Sequence, residues 1–236
     1  MCAPDDWALA HRRLITATRG ELGSDDPRCD PASLAMLRER ELRSAMRVIG
    51  VSDVRFLGLA DGDCELADRA MMTSIVADAI GEVRPDVVVT FGPDGITGHP
   101  DHQAVARWTI GAWRRCPSTE LLLATMTDEF VRRNAALHDR IGLSMGLPLR
   151  SIPEHDLALH VGPSADERRR KWHVLAAHAS QTTSLVDLMG RLVVGRALSP
   201  CGSSCNISSG YQLSGRSEAE NEASYRKPST RCFTSG

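Results

Sequence analysis

The chain has 236 residues, 42% of them hydrophobic and 25% charged, with a formal net charge of -2. That suits one domain with a sizeable core, or two small ones, folded in water. Only 4% of residues are aromatic, so a nucleic-acid stacking platform is excluded by composition, and no apolar run reaches the length of a membrane span. Residues 1–6 have neither the basic start nor the apolar run of a signal peptide, and seven scattered cysteines without a Cys-x-x-Cys pair predict reduced thiols and a cytoplasmic location.

In chain order, Arg13 to Thr18 reads as a strand ending in Arg19-Gly20-Glu21. Apolar residues at Leu34, Leu37, Leu42, Ala45, Met46 and Ile49 give Pro31 to Ile49 a helical period. Asp53 to Leu59 is a short strand, and Leu66 to Val83 a helix that stops at Pro85. Asp86 to Phe91, β-branched and apolar on both faces, predicts a central strand of a parallel sheet. A helix follows from Pro100 to Arg115, then a strand over Glu120 to Met126 and a helix over Asp128 to Ile141. His155 to Val161 alternates like a strand, and Ala165 to His178 is a charged helix whose run Arg168 to Lys171 reads as a solvated face. This alternation predicts an α/β fold, a mostly parallel central sheet covered by helices on both faces. The domain is expected over residues 1–198. From Ser199 onward Ser, Gly and charged residues lose all apolar periodicity, which predicts a disordered tail over 199–236. Cys201, Cys205 and Cys232 in that tail have no histidine or fourth thiol to complete a metal set.

The residues that carry chemistry follow the predicted central strand as Gly98-His99-Pro100-Asp101-His102. Pro100 suits the first helical position, so His99 is the cap and His102 lies one turn on, both rings able to face one pocket. Ligands of open parallel sheets bind where strands deliver their carboxyl ends into loops. Arg19-Gly20-Glu21, Asp61-Gly62-Asp63 and the 92–102 loop are such deliveries. Asp5, Asp6, His99 and His102 could together supply a metal-polarised carbonyl, a base for water and an oxyanion donor. The plain structural alternatives are a capping histidine, a solvent-facing histidine and a polar terminus. A dinucleotide fingerprint is absent.

Three segments in order carry a family resemblance: Thr18-Arg19-Gly20-Glu21-Leu22-Gly23, the pair Arg38 to Glu41 and Leu57 to Gly62, and the 85–102 stretch ending in the His-Pro-Asp-His motif. Over about residues 3–188 the chain resembles the LmbE-like, or PIG-L, metal-dependent N-deacetylases. The resemblance implies a doubly wound α/β fold and a zinc-dependent hydrolase that removes the acyl group from a small-molecule N-acyl amino sugar, such as an N-acetylglucosamine glycoconjugate. It assigns metal binding to Asp6 and His102, the general base to Asp5, and the oxyanion stabiliser or general acid to His99. Arg38 and Asp61 match positions that line the substrate pocket. His178-x-x-Gln181 resembles the family's late segment.

The early motif departs from the family. Ala3 stands where the resemblance implies a metal histidine, and Trp7 where it implies a glutamate. Alanine cannot ligate, so zinc is expected to bind weakly or not at all. Cys2 is one residue out of phase for a rescue. Too few residues separate Asp6 from Thr18 for the family's helix there, so a chain truncated or rearranged at its front is expected. The alternative function is a catalytically inactive remnant, or a small-molecule-binding protein of the same fold.

Overall fold

The structure is a computed structural model. It covers residues 11–183 apart from 25, 117, 143, 146, 147 and 161, with the backbone alone at 140 and 141. The expected tail over 199–236 lies outside the described residues, as do Asp5 and Asp6. The chain divides into two compact units: residues 11–67 with 162–183, and residues 68–160.

In the first unit, β1 (Arg13–Thr16) and β2 (Asp53–Phe56) pair in parallel, with Arg13 beside Asp53 and Thr16 beside Phe56. The pairing continues past the strands, where Leu57 N–H donates to the Thr16 carbonyl at 2.9 Å and Leu59 N–H to that of Ala17 at 3.1 Å. Between them runs α1 (Pro31–Val48). Its start is set locally: the Asp30 carboxylate accepts from Ser33 N–H at 2.9 Å, and Pro31 needs no partner for a missing N–H. Leu34, Arg38, Glu41 and Ala45 are its buried positions, one stripe at helical spacing. Two of the four are ionisable, and each has assigned partners. Glu41 accepts from Ser180 N–H at 2.8 Å and Ser180 Oγ at 2.6 Å, which ties α1 to the segment after α7 (Ala165–Ala177). A reciprocal cap starts α7, with Glu167 N–H donating to Ser164 Oγ at 3.2 Å and Ser164 N–H to the Glu167 carboxylate at 2.7 Å.

The second unit is built on α2 (Arg69–Val83), β3 (Val87–Phe91), a distorted turn α3 (Gly95–Gly98), α4 (Pro100–Trp113) and β4 (Glu120–Ala124). Met72, Thr73, Val76, Ala79 and Ile80 of α2 are buried, as are Ala104, Ala106, Trp108, Thr109 and Ala112 of α4 and Leu121 to Leu123 of β4. β3 and β4 pair in parallel from Val87 beside Glu120 to Phe91 beside Ala124. Trp113 Nε1 donates to the Thr119 carbonyl at 2.7 Å, and Thr119 Oγ1 to that of Pro85 at 3.0 Å. These two bonds fix where α4 returns to β4.

A short parallel pair joins β5 (Met126–Thr127) to β6 (Ser151–Ile152), with α5 (Asp128–Arg133) and α6 (Ala135–Ile141) between them. The fold is thus α/β, with small parallel sheets flanked by helices.

Three expectations are corrected in detail. The helix read over Asp128 to Ile141 is two, broken at Asn134, whose side-chain amide donates to the Phe130 carbonyl at 2.8 Å and competes with the helix ladder. The strand read over His155 to Val161 is not formed among its described residues. Pro153 leads instead into a tight turn over Glu154–Asp156, and the strand is β6, just before it. β3, read as central, has β4 as its one partner among the described residues, and Val89 in its middle is 53% exposed.

Candidate functional site

In the second unit the strand-to-helix junction places both histidines. His99 is the N-cap of α4, its Nδ1 accepting from Asp101 N–H at 3.2 Å. A ring nitrogen that accepts carries no proton, so in the neutral ring the proton sits on Nε2. His102, three residues on, has Nδ1 at 3.1 Å from the Gly95 carbonyl. A carbonyl can only accept, so Nδ1 holds the proton and Nε2 is the basic nitrogen. That is the tautomer in which an imidazole ligates a metal, oriented by a backbone carbonyl. The two rings lie 4.9 Å apart between centroids, tilted by 30°, and His102 stacks on Phe91 at 4.1 Å and 5°. His102 is thus stacked on the last residue of β3, with the His99 ring tilted beside it, and the backbone contacts at the two Nδ1 atoms favour opposite neutral tautomers.

The junction is tightly made. Gly95 has φ +69°, and a Cβ there would stand 3.0 Å from His102 Cβ and 3.1 Å from Gln103 Cγ, so only glycine leaves the His102 ring its place. Ile96 is held at φ 64°, ψ -53°, a strained setting for a β-branched residue. Gln103 Nε2 reaches the carbonyls of Asp94 at 3.4 Å and Gly98 at 3.3 Å, closing the loop on α4. Asp101, in the first turn of α4, is buried. Beside this loop lies a cavity of about 480 Å³ lined by Pro93, Asp94, Ile96, Gly98, Gln103 and residues 148–150.

In the first unit, Arg38 and Asp61 are both engaged with the loop that leaves β1. Arg38 is 9% exposed; its Nη1 donates to the Gly20 carbonyl, and its Nη2 to that of Gly23 at 2.7 Å. Asp61 accepts from Leu22 N–H at 3.1 Å and Thr18 Oγ1 at 3.3 Å, and its own N–H donates to Glu21 at 2.9 Å. The Thr18–Gly23 segment is thus clasped from α1 by a guanidinium and from the turn after β2 by a carboxylate. Arg38 Nε and Glu21 Oε2 are buried polar atoms with no assigned hydrogen-bond partner. Next to the clasp, Glu39 is held below the ordinary glutamate range by hydrogen bonds from Arg19 at 2.7 Å and then Arg43 at 2.9 Å. Both guanidinium groups lie over the Phe56 ring.

The structure brings His99 and His102 together in one unit, and Arg38 and Asp61 around one loop in the other. Sequence reasoning missed Glu21 as the partner of Asp61, although it lies in the quoted Thr-Arg-Gly-Glu segment, and it missed the cavity beside the histidines. As for a metal, His102 presents one suitable nitrogen, and no group of three or more His, Cys, Asp or Glu comes together among the described residues. The described donors do not by themselves make a zinc site.

A histidine pair at the carboxyl end of a parallel strand, in an α/β fold, puts the candidate site where open α/β sheets bind their ligands. Residues 8–113 match the PIG-L family, GlcNAc-PI de-N-acetylase. Over 178 residues, 72% of the chain, it is 30% identical to 70% of the probable N-acetyl-alpha-D-glucosaminyl L-malate deacetylase 2 of Bacillus subtilis. The chain belongs to the PIG-L family. It is 38% identical over 128 residues, 42% of its length, to the 1D-myo-inositol 2-acetamido-2-deoxy-alpha-D-glucopyranoside deacetylase of Kineococcus radiotolerans, and that match spans 36% of the relative. A deacetylase from the teicoplanin biosynthesis pathway shares the fold, with a TM-score of 0.52 and 16% identity over 81% of this chain and 86% of that one.

Proposed function

We propose that the protein is an N-deacetylase that hydrolyses the amide of a small N-acyl amino sugar, working from the cytoplasm with a metal set one donor short. The observation that carries this reading is the His99–His102 pair in a family member, with Asp101 N–H on His99 Nδ1 and the Gly95 carbonyl beside His102 Nδ1, which leaves both Nε2 atoms for chemistry. His102 and Asp6 are the residues that would hold zinc, and Ala3 offers no third donor, so the chain's own set does not fit a tightly held ion. Free thiols at Cys29, Cys64 and Cys116 support the cytoplasmic location.

The proton traffic falls to the chain's own side chains. Asp5 takes a proton from water as the water oxygen attacks the acyl carbon, His99 Nε2–H donates a hydrogen bond to the oxyanion that forms, and the proton held by Asp5 passes to the departing nitrogen as the C–N bond breaks. The products are the free amino sugar and the carboxylic acid. Arg38 and Asp61, which hold the Thr18–Gly23 backbone, are read as substrate-binding residues from their match to the family motif.

Acetate release from N-acetylglucosamine glycosides, with zinc supplied in excess, tests the reading. Slow release that falls by about 100-fold or more in His99→Ala is the expected outcome. Glycoside binding with no release at any zinc concentration would establish the alternative, a binding protein of the same fold. Neither binding nor release would overturn both.

A further inference from the structure

The ring of Phe91 stands where β3 hands over to the loop that carries the histidines. Phe91 is the last residue of the strand and pairs with Ala124 of β4. The next residue, Gly92, donates its N–H to the Ala124 carbonyl at 3.3 Å, so the ladder fixes the backbone up to and past the ring. Side chains alternate along a strand, and Phe91 shares its face with Val87 and Val89, both exposed. Its own ring is half-buried. Filling a core does not account for a phenyl ring on such a face. Its neighbour does: the His102 imidazole lies 4.1 Å away and within 5° of parallel.

Two settings already place that imidazole. Gly95 leaves room for the His102 Cβ, which a Cβ at position 95 would meet at 3.0 Å, and the Gly95 carbonyl lies 3.1 Å from Nδ1. Neither fixes the ring plane. The torsion that turns an aromatic ring on its Cβ is broad and soft, and a hydrogen bond at Nδ1 sets a direction, not a plane. A flat ring stacked on the imidazole face sets the plane. We propose that Phe91 is a positioning residue, whose ring holds the plane of the His102 imidazole and with it the Nδ1–H tautomer that the Gly95 carbonyl selects. The inference deepens the deacetylase reading and rests on it for the kinetic test alone. A rocking imidazole presents Nε2 correctly for a smaller fraction of the time, which lowers kcat and leaves substrate affinity unchanged.

Ring-nitrogen NMR of the histidines, with steady-state kinetics, tests this on the full chain. Spectra without added zinc, at about pH 8.5 where histidine is neutral, should show His102 as the Nδ1–H tautomer alone, its signals assigned by their loss in His102→Asn. Phe91→Leu keeps apolar bulk without a flat ring. It should give a mixture of tautomers and, with zinc in excess, a kcat for acetate release from N-acetylglucosamine glycosides about tenfold lower at unchanged KM. Phe91→Tyr keeps the flat ring and should match the native chain in both readouts. Melting temperatures check the fold of each variant, and Phe91→Met makes the same comparison if Phe91→Leu unfolds. A native His102 in the Nε2–H form overturns the proposal. So does a Phe91→Leu chain with one tautomer and the native kcat, or a Phe91→Tyr chain as impaired as Phe91→Leu. Absence of acetate release from the native chain overturns the deacetylase reading, and the spectra then decide this inference by themselves.

Discussion

Arg38 shows how much one buried side chain can hold. Its two terminal nitrogens satisfy two loop carbonyls at once, Gly20 and Gly23, and hydrogen bonds from a charged donor contribute about 1.5–3 kcal/mol each. Arg38→Met should therefore destabilise the protein by about 2–4 kcal/mol in urea melts. Arg38→Lys should recover only part of that, because one ammonium cannot span the two acceptors. At the other site, Gly95→Ala puts a methyl group against His102 in a backbone setting that favours glycine. The expected result is lost acetate release with little loss of fold, and a loss of stability without loss of release would contradict it. The histidine pair was legible in the sequence because its geometry is local: a cap, a proline and one helical turn. Arg38 was legible only as a pocket position. Its actual partners lie 15 and 18 residues away, and nothing in the sequence between them says which carbonyls a guanidinium will meet.

Among the elements, the helices were the most legible, because their starts are written in single residues. Asp30, Asp68, His99 and Ser164 each accept a hydrogen bond from the first turn of the helix they cap. Ser164→Ala should cost about 1 kcal/mol near neutral pH. The partner carboxylate, Glu167, is held below the ordinary range by the backbone N–H and side chain of Ser164. A depressed carboxylate contributes stability that is complete above its unfolded pKa and is lost as pH falls through its folded pKa. The difference between wild type and Glu167→Gln should thus shrink in urea melts taken below the carboxylate range, and a constant difference would count against the carboxylate's part in the cap. Met72, almost wholly buried on α2, should cost about 2–5 kcal/mol when truncated to alanine. Strands were less legible. Alternation at His155 to Val161 was outweighed by the turn after Pro153, and the apolar run of β3 could not say how many partners it would pair with. Strand neighbours are set by distant chain, not by the run itself.

At the scale of the whole molecule, the chain belongs to the PIG-L family, and the proposed reading puts its difference in the metal set. The sequence made that difference visible because ligation depends on residue type: alanine at position 3 has no donor in any fold. It could not show the tautomers of His99 and His102, which follow from the backbone atoms that Asp101 and Gly95 present to them. The central claim, a PIG-L deacetylase whose zinc is held by too few donors, meets its most direct test in zinc affinity. Competition titration of the full native chain and of Ala3→His against a chelator is the measurement. The account predicts weak, sub-stoichiometric zinc in the native chain and a gain of about tenfold or more in affinity on restoring the histidine. One tightly bound zinc per native chain, unchanged by Ala3→His, would contradict it.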